Sequence, residues 1–263
     1  MEQIQWEGLL DGPLNILPYG EPGCGKTWFT GSVAEKLYTL GVDADNGFKT
    51  LLQVPKEWRD NMFPIRLTDF ADIDKIYKLI LKNDPEEMTR AFNKELAEDD
   101  PRYKKVLKPF EAIAFDTWSA INWEIREKRR EDIKKQGNGS LVFRPNIEIQ
   151  DWGMISDLNQ LCIQAFCDVP ITFICTMHEQ FYEDKKGGRT SGTPSINGKF
   201  AAEVGKMFDI VGHIHMNIQN KRVMDTVMKQ RYQAKSRILL DAEIIDPTYA
   251  KIIQSIETLR KTL

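Results

Sequence analysis

One short stretch limits what this chain can fold into: Leu14-Asn15-Ile16-Leu17-Pro18-Tyr19-Gly20-Glu21-Pro22-Gly23-Cys24-Gly25-Lys26-Thr27. An apolar run of strand length meets a glycine-rich turn, and the turn runs into a helical pattern. Gly20, Gly25, Lys26 and Thr27 satisfy G-x-x-x-x-G-K-[ST], the pattern of a phosphate-binding P-loop. The glycines let the backbone turn tightly and aim several N–H groups at one anion. A helix starting near Lys26 adds the positive end of its dipole at the same point. Lys26 brings a mobile positive charge to β- and γ-phosphates, and Thr27 offers a hydroxyl to Mg²⁺. The expected nucleotide-binding residues run from Gly20 through Glu21, Pro22, Gly23, Cys24, Gly25, Lys26 and Thr27 to Trp28. A structural glycine turn is the competing meaning, and the strand before and helix after weigh against it.

The rest of the chain alternates strand-like and helix-like segments. Phe29, Val33, Leu37 and Leu40 fall on one helical face, which predicts a helix over 26–40 with Gly41 as its C-cap. Residues 49–54 read as extended, and Phe63-Pro64-Ile65-Arg66-Leu67 as an edge strand, because proline cannot donate to a ladder. A helix starts at Asp69. Residues 83–108 are charged, contain Pro85 and Pro101, and read as a helical surface insertion rather than core. Ala112-Ile113-Ala114-Phe115-Asp116 and Ile171-Thr172-Phe173-Ile174-Cys175-Thr176 have the continuous apolar form of strands buried on both faces. Between them a helix over 118–135, a loop over 136–149 and a helix capped by Asp151 are expected. Residues 183–199, rich in Gly, Lys, Ser and Thr, read as a flexible loop. Strands over 210–218 and 223–234 and a helix from 247 onward follow, while 1–13 is a lead-in whose Trp6, Leu9 and Leu10 cover a sheet edge. The expectation is one α/β domain over 1–263, with a mainly parallel sheet flanked by helices and an antiparallel C-terminal edge.

A net charge of −3 supplies no overall attraction to nucleic acid or membrane, so any such binding must come from local patches. Cys24, Cys162, Cys167 and Cys175 form no C-x-x-C pair, which fits free thiols in a reducing cytosol. No apolar run reaches transmembrane length and the N-terminus lacks a secretory pattern, so a cytoplasmic protein without a membrane partner is expected.

Asp116 is the second landmark. A P-loop needs a carboxylate at the end of a nearby strand to hold the Mg²⁺ shell, the Walker B role, and Ile113-Ala114-Phe115-Asp116 has that form. Capping of the following helix is its alternative role. Hydrolysis also needs a base or water-positioning group. Asp45 is the first candidate, Asp43 the second, and Glu179 a third; Asp-x-Asp-Asn-Gly is equally a turn sequence. His178 directly follows the second buried strand, where a polar side chain can reach a γ-phosphate. His213 and His215 alternate on one strand face, but no third ligand at suitable spacing accompanies them, and a structural role is preferred. Lys235 and Arg237 follow the last long strand, either as a solvated edge or as fingers reaching a neighbouring subunit's γ-phosphate.

Together these residues resemble the RecA-like branch of P-loop ATPases, and among them the phage-encoded ATP-binding proteins of recombination and single-strand annealing. The likeness spans Asn15 to about Asp246 and rests on the loop at Tyr19 to Thr27, on Phe115-Asp116-Thr117, on Thr176-Met177-His178-Glu179, on Gly198-Lys199 leading to Phe208-Asp209, and on Lys235-Ser236-Arg237. It implies a RecA-like core, ATP and Mg²⁺ as cofactors, and ATP hydrolysis at the interface of a homo-oligomeric ring or filament, with Lys235 and Arg237 acting in trans. It also implies loops on single-stranded DNA, contacted by Lys134, Lys135, Arg144, Lys185, Lys186 and Arg189. Asp45 stands where this branch usually has glutamate, and the shorter carboxylate implies slow hydrolysis; turnover stimulated by DNA is expected of the resemblance. The alternative is a nucleotide-controlled loader or remodelling ATPase that does not bind DNA directly.

Overall fold

A computed structural model describes residues 12–94, 96–136, 146–184, 189–197, 200–229, 231–238 and 240–262. Strand β1 (Asn15–Gly20) is almost wholly buried and feeds through the glycine turn into α1 (Lys26–Val33). That helix is shorter than the spacing of Phe29, Val33, Leu37 and Leu40 predicts. Leu40 belongs instead to β2 (Thr39–Asp43), buried on both faces, and Gly41 is a mid-strand residue rather than a cap. A Cβ there would meet the Phe48 ring at 2.9 Å, so the glycine makes room for packing. Residues Gly47–Gln53 form a 3₁₀ helix, not an extended piece, because Asn46 at φ 66° turns the chain sharply and swings Leu51 onto Ala34, Val54 and Met62.

After the short α2 (Lys56–Asp60), β3 (Met62–Arg66) pairs only with β2, the edge place that Pro64 demands. Helix α3 (Ala71–Lys82) buries Ile73, Ile76 and Ile80. The segment 83–108 is helical at α4 (Pro85–Phe92), where the Asp84 carboxylate accepts from Glu87 N–H and Pro85 opens the helix. It is not confined to the surface: Met88 and Val106 are buried in the main core beside Phe110. The charged composition hides this single inward stripe. Asn83 anchors the segment, donating to the Phe110 carbonyl and accepting from its N–H, both at 2.8 Å.

Strand β4 (Ala112–Asp116) is buried throughout. Helices α5 (Trp118–Gln136) and α6 (Ile149–Cys167) follow. The cap of α6 is Glu148, one turn earlier than expected, with Asp151 as the other half of a capping box. The Asp151 carboxylate also holds Arg129 at 2.6 Å. Strand β5 (Thr172–Cys175) breaks at Thr176 and continues as β6 (Met177–Asp184), which folds back as β7 (Arg189–Pro194). This hairpin takes residues 183–184 and 189–194 of the flexible loop expected over 183–199 into strands. It has no apolar face to read in sequence, and backbone pairing from Glu179↔Pro194 to Asp184↔Arg189 defines it. Helix α7 (Phe200–Glu203) leads to β8 (Ile210–Met216), β9 (Arg222–Asp225), β10 (Lys235–Ser236), β11 (Glu243–Ile245) and α8 (Tyr249–Arg260). The strand expected over 223–234 ends at Asp225, since the chain then leaves the sheet and bonds Gly192 through Arg231 and Gln233. Residues 1–11, which include Trp6, Leu9 and Leu10, lie outside the described residues, as do 137–145 and Gly198-Lys199.

The strands run in the order β11-β9-β8-β1-β5-β4-β2-β3. From β8 to β3 all neighbours are parallel, and β9, β10 and β11 make the antiparallel edge. This is a P-loop NTPase fold. Strand β5 stands between β1, which carries the glycine turn, and β4, which ends in Asp116. Among the described residues no helix is long and apolar enough to cross a membrane. The glycine turn is fitted closely to the sheet: a Cβ on Gly20 would lie 2.1 Å from the Ile214 carbonyl oxygen. Gly20→Ala is expected to destabilise the fold by about 1–3 kcal/mol, seen as a lower urea midpoint with an unchanged slope.

Candidate functional site

The site begins where β1 stops. Gly23 and Gly25 adopt φ of 83° and 107°, a backbone region that side chains disfavour, and so curl the loop over the start of α1. The Lys26 ammonium is nearly buried and donates to the carbonyls of Gly20 at 2.9 Å and Glu21 at 2.8 Å, which holds it at the mouth of the loop. Trp28 lies outside the loop. It meets Trp58 edge-on at 5.9 Å and carries the Arg222 guanidinium over its ring at 4.6 Å. Arg222 also covers Gly25, where a Cβ would strike it at 2.6 Å.

Across β5, the fully buried Asp116 accepts a 2.6 Å hydrogen bond at Oδ1 from the Thr176 hydroxyl. Its Oδ2 is buried with no hydrogen-bond partner. Burial pushes this carboxyl up; the hydroxyls of Thr176 and Thr27 and the Lys26 charge pull against that, and Asp45 adds to it. The orphaned oxygen lies close to Gly47. A Cβ on Gly47 would stand 2.8 Å from Asp45 Oδ1, 3.3 Å from Asp116 Oδ2 and 3.6 Å from Thr27 Oγ1. Three oxygens thus gather beside a residue whose lack of a side chain lets them approach one another. An all-oxygen set with a buried carboxylate fits Mg²⁺, with Thr27 and Asp116 as the groups that would hold it.

The three candidate carboxylates are now separable by position. Asp43 is buried, and its Oδ1 shares the Gly47 N–H, at 2.9 Å, with Asp45 Oδ1 at 3.0 Å, so both carboxylates help to close the turn and burial is what sets Asp43 apart. Glu179, one residue beyond His178 on β6, turns to β8, with its carboxylate 3.3 Å from His213 Nε2. Asp45 stands at the site itself, with Oδ2 3.6 Å from His178 Nε2. His178 pairs in register with Gly20, and its N–H donates to the Ser119 hydroxyl at 2.9 Å. Lys26, Thr27, Asp45, Asp116 and His178 therefore meet around one space.

Lys235 and Arg237 do not join them. Strand β10 pairs with β8 at Val211 and Ile210, level with Leu17 and Ile16 of β1. Gly20 lies roughly 13 Å further along the strand from Ile16. Arg237 is bound at that lower end to Asp209 at 3.1 Å and to the Lys206 carbonyl at 2.5 Å. Of the expected DNA contacts, Lys134 and Lys135 are exposed at the end of α5. Arg144, Lys185, Lys186 and the side chain of Arg189 lie outside the described residues.

Sequence reasoning missed Arg222 and Ser119, which carry no motif and reach the site through strand register and helix placement. It also expected no third partner for His213 and His215. The structure supplies one: β8–β9 pairing sets Asp225 opposite His213. The two imidazoles and that carboxylate border a cavity of about 740 Å³ that extends to Glu21 and Gly23 of the loop. Burial, then His215, pushes the His213 imidazole down to about 4, so it is neutral at pH 7.

A family model described as an AAA domain matches residues 13–238. No curated protein matches the chain.

Proposed function

The chain belongs to the AAA-domain family of P-loop ATPases, and from that premise we propose that it hydrolyses ATP to act on single-stranded DNA, in the manner of RecA-like proteins of phage recombination and annealing. The nucleotide phosphates enter the loop at Gly20–Thr27, and Lys26 exchanges its two carbonyl partners for β- and γ-oxygens. Mg²⁺, when bound, neutralises charge on those phosphates. Asp45 accepts the proton of the attacking water as the bond from γ-phosphorus to the bridging oxygen breaks. His178, beside both Gly20 and Asp45, holds that carboxylate in line and responds to loss of the γ-phosphate.

The observation that carries the DNA reading is the hairpin. His178 is the second residue of β6, so a shift at the γ-phosphate passes directly along one strand into β6–β7. Lys134 and Lys135, exposed at the end of α5, supply part of the local positive charge that DNA binding by a chain of net charge −3 requires. ATP turnover is therefore expected to rise on adding single-stranded DNA, and the rise to fade with salt. Turnover that is indifferent to DNA across a salt series removes this reading. Exposed Met216, Ile218 and Met228 favour the alternative, a loader or remodelling ATPase that grips protein instead. That alternative predicts ATP-dependent oligomers and no DNA shift.

Lys235 and Arg237, too far from their own loop, are proposed to act on a neighbour's γ-phosphate. Lys26→Ala and Arg237→Ala subunits, each inactive alone, are then expected to recover part of the activity when mixed. Mixed oligomers that stay inactive count against the trans role.

A further inference from the structure

We infer that His213, His215 and Asp225 bind a transition-metal dication of the zinc class, at a second site separate from the Thr27–Asp116 pair. The three ligand atoms all lie within 4.8 Å of one another. His215 Nε2 is 3.2 Å and His213 Nδ1 3.9 Å from the same oxygen, Asp225 Oδ2. Ligands around a tetrahedral Zn²⁺ at about 2.0–2.1 Å sit roughly 3.3 Å apart, so these separations bracket a bound ion. Imidazole and carboxylate donors suit a zinc-class ion and are a poor set for Mg²⁺, which takes oxygen.

Two further observations point to a ligand. His213 is 4% exposed, and its Nδ1 has no hydrogen-bond partner, although it is turned toward the cluster. Its other nitrogen, Nε2, lies 3.3 Å from Glu179 Oε2. A proton on Nε2 donated to Glu179 leaves the Nδ1 lone pair facing Asp225. This is the carboxylate–histidine–metal arrangement in which an outer carboxylate fixes the tautomer of a ligating imidazole. Tyr232 stacks flat on the His213 ring at 3.9 Å and holds its plane. Lys229 pairs with the other Asp225 oxygen, Oδ1, at 3.0 Å and leaves Oδ2 to face the imidazoles. His215 is about one-third exposed on the cavity, which gives the ion an entry path and leaves the remaining coordination position to water or a ligand.

The test uses full-length, tag-free protein stripped with chelator. Zn²⁺ is titrated against a competing dye, and Co²⁺ is followed by its visible absorption, both without nucleotide. A single ion per chain is expected, with the strong Co²⁺ bands of a four-coordinate site. His215→Ala and Asp225→Asn should each weaken binding at least ~100-fold, and Glu179→Gln, acting through the imidazole, about 10–100-fold. Asp116→Asn should bind as the wild type does, which separates this site from the P-loop. Circular-dichroism melts of each variant check folding, and His215→Ala, at an accessible position, is the variant that decides if Asp225→Asn fails to fold. Substoichiometric binding by the wild type, binding retained in His215→Ala, or binding lost in Asp116→Asn overturns the inference.

Discussion

Lys26→Ala is expected to lower ATP turnover by about 10²–10³-fold, the scale seen when a preorganised charge is removed from a reacting centre. The ammonium is nearly buried and held by two carbonyls of the loop it serves, so its position is set before the nucleotide arrives. Truncation removes the cation that stabilises charge on the β- and γ-oxygens in the transition state. It also leaves the Gly20 and Glu21 carbonyls without that donor, at a net loss of about 1 kcal/mol per hydrogen bond, so the variant should fold. Steady-state phosphate release read beside a thermal melt distinguishes the two effects. Near-normal turnover in a folded Lys26→Ala protein would place the chemistry elsewhere. Lys26→Arg should fail as well, since a planar guanidinium cannot take the tetrahedral place of the ammonium between the two carbonyls.

Asp116→Asn is expected to lose Mg²⁺-dependent turnover by a similar factor while gaining stability in the absence of metal. The carboxyl is wholly buried, and burial raises its pKa above the ordinary 3.8. A group protonated more readily in the folded than in the unfolded chain contributes stability that is fully present below its unfolded pKa and is lost as pH rises through the raised folded value. In chelator, above the ordinary carboxyl pKa, the wild type therefore folds against the cost of this buried carboxyl. Asparagine removes the charge and still offers an oxygen to the Thr176 hydroxyl, now 2.6 Å from Oδ1. Melting temperatures with EDTA should fall for the wild type relative to Asp116→Asn as pH rises above the ordinary carboxyl pKa of 3.8. Mg²⁺ with nucleotide should raise the melting temperature of the wild type and not that of the variant. A variant less stable than the wild type in EDTA contradicts this account of Asp116.

Features that depend on neighbours in sequence were readable in advance. The phosphate loop is one contiguous motif, and β4 and β5 are continuous apolar runs because both faces of each are covered. Asp116 and His178 followed from their places at the ends of those runs. What was not readable depends on register or on short-range ambiguity. Leu37 and Leu40 have helical spacing, yet the chain leaves the helix after Val33 and Leu40 enters a strand. The β6–β7 hairpin is polar on its loop side and is defined by backbone pairing that composition does not display. Asp225 and Arg222 come into place only once β9 lies antiparallel to β8, with His213 opposite Asp225. The difference between Asp43 and Asp45 is likewise one of geometry: both accept the Gly47 N–H, but Asp43 is buried while the second oxygen of Asp45 stands beside His178.

Gly20–Thr27, Asp116, Asp45 and His178 are proposed to form one ATP site. A structure of the protein with Mg²⁺ and a non-hydrolysable ATP analogue tests it most directly. The β- and γ-phosphates are expected within the loop, with Lys26 moved from the Gly20 and Glu21 carbonyls onto phosphate oxygens, Mg²⁺ beside Thr27 and Asp116, and Asp45 and His178 facing the γ-phosphate. A nucleotide seated elsewhere, or one whose γ-phosphate lies remote from Asp45 and His178, would contradict it.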